Sequence, residues 1–386
     1  MKILGIETSC DETAVCLIDA WGDFNNNFRY EVLGNTLISQ AQIHSKYGGV
    51  FPNLAKREHA KNLVPILERT LAESKMLHKQ YTNIAAHEDS LKNILEREPE
   101  LCEKLSEFLK NHTRPHIDCI AVTVGPGLEP ALWVGINFAR ALTEIWNIPV
   151  VAINHMEGHV VISAMDNGRL ADFEFPALAL LISGGHTELV LAREWMKYEI
   201  QGETRDDAVG EAFDKVARLL DLPYPGGPEI SRLASEAREN SVSSDFKLPR
   251  PMLHDDNLDF SFAGLKTAVR RIVETNSPLS QEMKLGISRE FEDAVADVLA
   301  HKTLHAVDAH GVNTVIVGGG VSANTYIKKR LNDALTEEGY PAKLLIPAPE
   351  LATDNALMIA LAGYFHAKNR DFINPDMLKA DGNLRL

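Results

Sequence analysis

One run of residues narrows the possible folds of this chain more than any other. Residues 117–124 form an unbroken apolar stretch that reads as a buried strand, 131–146 carry helical spacing, and 150–153 are apolar again. A strand, a helix and a strand in that order imply a parallel crossover. Ahead of it, residues 2–6 and 14–18 read as two strands joined by the polar turn 7–13, with a third strand at 30–39 after a loop over 21–29 that contains Asn25 and Asn26. The same theme returns downstream. Residues 177–183 and 187–192 form a hairpin around Gly184-Gly185-His186, a strand at 198–202 follows, and then come helices at 210–220, 266–275 and 287–310, a strand at 314–317 and a helix starting near Asn324. Two halves that each open on a hairpin and continue through crossover helices predict a duplicated α/β architecture, two lobes with a cleft between them. The expected divisions are 1–154 for the first lobe, 155–354 for the second, and 355–386 as a helix and tail packing back on the first.

Residues 54–74 show helical periodicity, with Pro52 near the start as a helix N-terminus favours. Residues 76–115 break the α/β pattern. They are rich in charge but place Leu91, Ile94, Leu95, Leu101, Leu105 and Leu109 at helical spacing, which predicts an inserted pair of helices packed on each other and on the 54–74 helix. Glu96, Arg97, Glu98, Glu100, Glu103 and Lys104 are expected to face solvent.

A hydrophobic content of 45% over 386 residues permits large cores and favours more than one domain. Cys10, Cys16, Cys102 and Cys119 include no Cys-x-x-Cys pair, which fits a reducing cytosol rather than a disulfide framework or a structural zinc site. The first residues run straight into a strand, and no apolar stretch approaches the roughly 20 residues of a membrane span. The expectation is a cytoplasmic protein with no membrane association. A net charge of −15 argues against nonspecific nucleic-acid binding, so an RNA partner would need a local basic patch or a helper protein.

The chemistry-bearing residues start at Asn154-His155-Met156-Glu157-Gly158-His159, where two imidazoles four residues apart share one face of a helix. Such a pair suits a divalent metal if a third ligand arrives from elsewhere, and Asp354, which follows a Pro-rich apolar segment just before a helix-like run, is the candidate. Histidines at chance spacing are the alternative reading. Glycine turns at Ser183-Gly184-Gly185, Tyr224-Pro225-Gly226-Gly227-Pro228 and Gly318-Gly319-Gly320 can bring backbone N–H groups to a phosphate, or can simply be turns. Asp214, placed at a helix start, can accept from a ribose hydroxyl or answer the helix dipole. Asp11 and Glu12 could accept a proton from a substrate, or be ordinary solvent-facing acids of a turn. The P-loop signature, the protein-kinase set and His-Glu-x-x-His are all missing, and Glu157 lies on the wrong side of its helix to serve as a metallopeptidase base.

Six motifs taken together are more specific. Gly5 to Thr13 (GIETSCDET), His155 to His159 (HMEGH), Leu181 to Thr187 (LISGGHT), Gly210 to Lys215 (GEAFDK), Ser261 to Lys266 (SFAGLK) and Gly319 to Asn324 (GGVSAN) resemble, in order, successive motifs of the bacterial TsaD (Gcp) family. The resemblance spans nearly the whole chain. It implies the duplicated actin-like (ASKHA, sugar-kinase-like) ATPase fold and transfer of threonylcarbamoyl from threonylcarbamoyl-AMP to N6 of adenosine 37 in tRNAs reading codons that begin with adenine, with release of AMP. It further implies one divalent metal per subunit on His155, His159 and Asp354, iron(II) first and zinc(II) second. Adenylate contacts would come from Leu181, Ile182, Ser183, Gly184, Gly185, Asp214, Gly227 and Asn324, and the helper proteins would be TsaB-like and TsaE-like subunits. The 76–115 segment is absent from the typical pattern, and Ala263 stands where a serine is common.

Overall fold

The computed structural model describes residues 1–24 and 27–386, so Asn25 and Asn26 of the expected loop lie outside the described residues. Two compact units result, Met1–Ala171 together with Asp354–Leu386, and Asp172–Thr353. The first boundary falls at 171/172 rather than at 154, because the helix carrying His155 and His159 packs against elements of the first unit.

In the first unit, strands β1 (Lys2–Glu7), β2 (Glu12–Trp21), β3 (Arg29–Ser39), β4 (Cys119–Gly125) and β5 (Val150–Asn154) lie in the order β5-β4-β1-β2-β3, with two short strands, β6 (Met165–Asp166) and β7 (Arg169–Leu170), added beyond β3. β1 pairs antiparallel with β2 and parallel with β4, and β4 is parallel to β5, as the crossover reading required. The helices of this half are α1 (Ala41–Ser45), α2 (Pro52–Glu73), α3 (Glu88–Ile94), α4 (Pro99–Asn111), α5 (Glu129–Trp146) and α6 (His155–Ser163). β1 is buried on both sides, which explains its continuous apolar run. Leu4 and Ile6 join a core with Leu63 and Leu67 of α2 and Leu132 and Ile136 of α5.

The 76–115 segment forms the expected pair of helices. Leu91, Leu95, Leu101, Leu105 and Leu109 are buried in that same core, α4 packs on α2, and α3 packs on α4 and α5. One charge departs from the expectation: Glu98 is buried, paired with Lys56 Nζ at 3.0 Å and approached by Asn137 Nδ2 at 3.5 Å. The cation brought by α2 offsets the cost of desolvating it.

The second unit repeats the plan. Strands β8 (Ala177–Ile182), β9 (Thr187–Glu194), β10 (Lys197–Glu203), β11 (Thr314–Gly318) and β12 (Lys343–Leu345) are ordered β10-β9-β8-β11-β12, with β8–β9 and β9–β10 antiparallel and β8–β11 and β11–β12 parallel. This is the order and sense of β3-β2-β1-β4-β5, so the duplication inferred from element order is present in the topology. The helices are α7 (Val209–Leu219), α8 (Gly226–Glu239), α9 (Ala263–Asn276), α10 (Gln281–His310), α11 (Thr325–Glu337) and α12 (Pro349–Ala352). The Pro-Gly-Gly-Pro stretch is not a free turn, since Pro225 is the extended N-cap of α8 and Gly226-Gly227-Pro228 form its first turn. Proline is tolerated there because the first turn's N–H groups have no intrahelical partner.

The chain then returns to the first unit as α13 (Ala356–Lys368), an almost wholly buried helix. It lies on β1, β2 and β4, on the face opposite Leu4 and Ile6. Gly5 and Gly363 make that approach possible. A Cβ on Gly5 would sit 2.4 Å from Ala356 O, and one on Gly363 would sit 2.3 Å from Ala121 Cβ.

A candidate metal centre and a candidate nucleotide surface

The metal candidate is assembled where β5 hands over to α6. Asn154 caps that helix, its Oδ1 accepting from Met156 N at 2.8 Å and from Glu157 N at 3.4 Å, so the helix starts at His155 and His159 follows one turn later. Gly158, between them, lets α13 come close, since a Cβ there would lie 3.0 Å from Met358 Cγ. Asp354 immediately precedes Asn355, the N-cap of α13, whose Oδ1 accepts from Met358 N at 3.0 Å. The outcome is convergence: Nε2 of His155 and Nε2 of His159 lie 3.3 and 3.2 Å from the same oxygen, Asp354 Oδ1. His155, His159 and Asp354 form a group that could hold a metal ion, with one ligand atom from each within 4.8 Å of the others. Two imidazole nitrogens and a carboxylate oxygen suit iron(II) or zinc(II), and leave positions for a substrate.

Behind His155 lies a residue that the sequence reading left out. Glu7, fully buried at the end of β1, accepts from Ser9 N at 2.5 Å and Thr123 Oγ1 at 2.6 Å, and its Oε2 is 3.2 Å from His155 Nδ1. An acid ending an apolar strand was the available signal. Burial penalises all these charges, but the mutual attraction of His155 with Glu7 and Asp354 outweighs it. His155 is raised and both carboxylates are lowered from their ordinary values. His159 is different, since burial holds it low and its Nδ1 has no hydrogen-bond partner among the described residues.

Asp11 and Glu12 are only partly exposed, and Glu12 already belongs to β2, so the solvent-facing turn does not describe them. Burial, with Asp354 and Asp11 nearby, pushes the Glu12 carboxyl up to about 9, and Ser39 Oγ donates to it at 3.1 Å. Glu157 is buried with Oε2 2.8 Å from His366 Nε2, which ties α6 to α13.

In the second unit the nucleotide candidates follow one another through direct contacts at the C-terminal ends of β8 and β11, the end where ligands of open parallel sheets bind. Leu181 and Ile182 are fully buried strand residues and can offer only backbone. Ser183 Oγ accepts from Gly185 N at 3.3 Å and His186 N at 3.0 Å, while Ser183 O accepts from Gly210 N of α7. Asp214 sits inside α7 rather than at its start. Its Oδ1 accepts from Gly226 N at 2.7 Å, so it caps α8. Asn324 caps α11 through Oδ1 and donates from Nδ2 to Ser231 Oγ at 2.7 Å and Glu292 Oε1 at 2.8 Å, leaving its side chain fully engaged. Glu292, buried on α10 and also paired with Arg238 at 2.6 Å, therefore ties the middle and the C-terminal end of α8, through Ser231 and Arg238, to the start of α11. It was missed as well, though an acid on the buried stripe of a long helix is a readable signal.

The glycines here divide into two kinds. Gly210, Gly226 and Gly319 are demanded by packing, for a Cβ would lie 2.6 Å from Ser183 O, 2.4 Å from Ala217 Cβ and 2.5 Å from Ile182 O respectively. Gly184, Gly185 and Gly320 would meet nothing within 4 Å, and Gly227 only Phe213 Cβ at 4.0 Å. The fold itself does not require these four to lack side chains, whereas a ligand lying against the backbone would.

Comparison with known proteins agrees with the motif order. The sequence model of the family TsaD, tRNA N6-adenosine threonylcarbamoyltransferase, matches residues 31–89 and 91–361. The enzyme of that name from Chromobacterium violaceum is 41% identical over 372 residues, covering 95% of this chain and 94% of its own length. That from Herminiimonas arsenicoxydans is 39% identical over 382 residues, covering 99% and 95%. Among solved structures, full-length HypF in a phosphate- and nucleotide-bound form is similar with a TM-score of 0.51 at 13% identity, over 96% of this chain and 46% of HypF, a likeness of fold alone. No helix among the described residues is long and apolar enough to cross a membrane. The chain is thus a transferase of tRNA modification and belongs to the tRNA N6-adenosine threonylcarbamoyltransferase (TsaD) family.

Proposed function

We propose that this chain transfers threonylcarbamoyl from threonylcarbamoyl-AMP to N6 of adenosine 37 in tRNAs that read codons beginning with adenine. The N6 nitrogen attacks the carbamoyl carbonyl carbon, the bond from that carbon to the phosphate oxygen breaks, AMP leaves with the electron pair, and N6 gives up a proton. The observation that carries this reading is the convergence of His155, His159 and Asp354 on one point in a chain whose relatives bear the transferase name.

Those three side chains would hold one divalent metal per subunit, iron(II) before zinc(II), and the ion would supply a Lewis acid where charge develops on the carbonyl oxygen. The backbone at Leu181 to Gly185 and at Gly227 would lie against the adenylate, with Asp214 using lone pairs left over from its cap to accept a ribose hydroxyl. Asn324 acts by holding the start of α11. Of the two candidate acids, Asp11 would take the proton from N6, directly or through water, because Glu12, pushed up to about 9, already carries a proton near neutral pH. A peptidase role finds no support, because Glu157 is committed to His366. The reaction would take place in the cytoplasm, with TsaB-like and TsaE-like subunits helping tRNA to bind.

The test supplies threonylcarbamoyl-AMP, unmodified tRNA and the candidate helper subunits, and follows AMP release against modified adenosine. Stoichiometric appearance of both supports the reading. AMP release unchanged by omitting tRNA, with no modified nucleoside, would refute it.

A further inference from the structure

Gln40, His44 and His59 are buried polar side chains of the first unit that the reaction above does not use. They stand in a row whose two ends are backbone groups. Phe51 N donates to His44 Nδ1 at 3.2 Å, and His59 Nε2 lies 3.0 Å from Cys10 O. Between them, His44 Nε2 is 3.1 Å from Gln40 Oε1, and Gln40 Nε2 is 3.3 Å from His59 Nδ1. A backbone N–H can only donate and a backbone carbonyl can only accept, which settles the direction of every bond in the row. His44 carries its proton on Nε2, Gln40 turns its oxygen to His44 and its NH2 to His59, and His59 donates from Nε2 to Cys10 O. Thr13 Oγ1, 2.8 Å from His59 Nδ1, donates to that same nitrogen. Burial holds His59 down to about 4, so near neutral pH its ring is neutral and has one N–H to give.

The receiving end of the row is the turn that carries Asp11. Cys10 O belongs to the peptide unit entering Asp11, and Asp11 O, in the unit leaving it, accepts from Gln40 N at 2.9 Å. Holding both planes fixes the φ and ψ between them, and with these the direction in which the Asp11 side chain leaves the backbone. We propose that His59 is a positioning residue that, itself oriented by Gln40 and His44, holds the peptide between Cys10 and Asp11 and so aims the Asp11 carboxylate. Its part in the reaction rests on the reading of Asp11 as the base, whereas the row of hydrogen bonds does not.

The kinetic experiment uses the full chain with helper subunits, threonylcarbamoyl-AMP and tRNA. Spectroscopy uses the full chain labelled with 15N-histidine, the two signals being identified by their loss in His44→Gln and His59→Gln. Long-range 1H–15N correlation should show Nε2–H on both rings in wild type. His59→Leu, which has no donor, should lower kcat about 10- to 100-fold with metal content and the KM for threonylcarbamoyl-AMP unchanged. His59→Gln, whose amide nitrogen reaches as far as Nε2, should recover most of that loss. In an Asp11→Asn background His59→Leu should cost about 2-fold or less, because a residue that acts through Asp11 has nothing left to aim. A merely structural role would cost the same in both backgrounds. An Nδ1–H tautomer on either ring, a normal kcat in folded His59→Leu, or an equal loss in both backgrounds would overturn the proposal. If His59→Leu fails to fold, His59→Asn, whose amide stops short of Cys10 O, takes its place. Asp11→Asn at the wild-type rate would instead defeat the reading of Asp11 as the base; with the expected tautomers, His59 would keep its hold on the turn and lose its part in the reaction.

Discussion

Gly226 and Gly227 are neighbours with opposite reasons for being glycine. A methyl at 226 would lie 2.4 Å from Ala217 Cβ, whereas one at 227 finds Phe213 Cβ at 4.0 Å. Gly226→Ala should therefore lower the melting temperature by forcing α7 and α8 apart, at about 1–3 kcal/mol. Gly227→Val should leave melting nearly unchanged and weaken binding of a non-hydrolysable adenylate analogue. Titration calorimetry beside thermal melts separates the two, and equal adenylate affinity in wild type and Gly227→Val would remove Gly227 from the site. At the metal candidate, His155→Ala and His159→Ala should each strip the ion from a folded protein, while Asp354→Asn, which keeps one oxygen donor, should weaken binding without abolishing it. Elemental analysis of the purified variants checks this. The histidine pair was legible because a spacing of four is a local property of a helix. Asp354 was legible as an acid that follows a Pro-rich apolar segment just before a helix-like run, whereas Glu7, though it ends an apolar strand, was passed over, since its contact with His155 depends on β1, β4 and α6 meeting.

α13 shows what a whole element contributes. It is buried nearly all round and lies on β1 and β4 only because Gly5 and Gly363 carry no side chain. Gly363→Val should destabilise the first unit by about 1–3 kcal/mol or more through overpacking. It should also loosen the site, because the same helix begins one residue after the Asn355 that follows Asp354. Urea unfolding and zinc affinity measured on one preparation would show both effects, and a normal melt with normal affinity would contradict this account of the helix. The strands and most helices were legible in the periodicity, down to the paired helices of residues 76–115. Two readings failed for a shared reason. Pro225 to Pro228 looked like a turn and Glu98 looked like a surface charge, yet a cap from Asp214 and a cation from Lys56, both distant in sequence, decided their surroundings.

Across the whole molecule, the repeated strand order was inferable from the succession of elements without any visible sequence repeat, because topology outlasts side-chain identity. The division at 171/172 was not inferable, since it depends on α6 packing against α13, which is far away in the chain. Replacing residues 79–113 by a short Gly-Ser linker should leave metal content and adenylate affinity intact and alter complex formation with helper subunits. Exposure of Leu63 and Leu67 should lower stability at the same time. A net charge of −15 opposes tRNA binding by the isolated chain, so turnover should be negligible without those subunits, and robust multiple turnover by the chain alone would refute that expectation. The central claim is that His155, His159 and Asp354 are the reacting centre of a tRNA transferase. Mass-spectrometric nucleoside analysis of tRNA tests it most directly, after reaction with threonylcarbamoyl-AMP and helper subunits, using wild type, chelator-treated wild type and folded His155→Ala. The account predicts N6-threonylcarbamoyladenosine from wild type alone, restored in the chelated sample by adding back iron(II) or zinc(II). Equal yields from all three would contradict it.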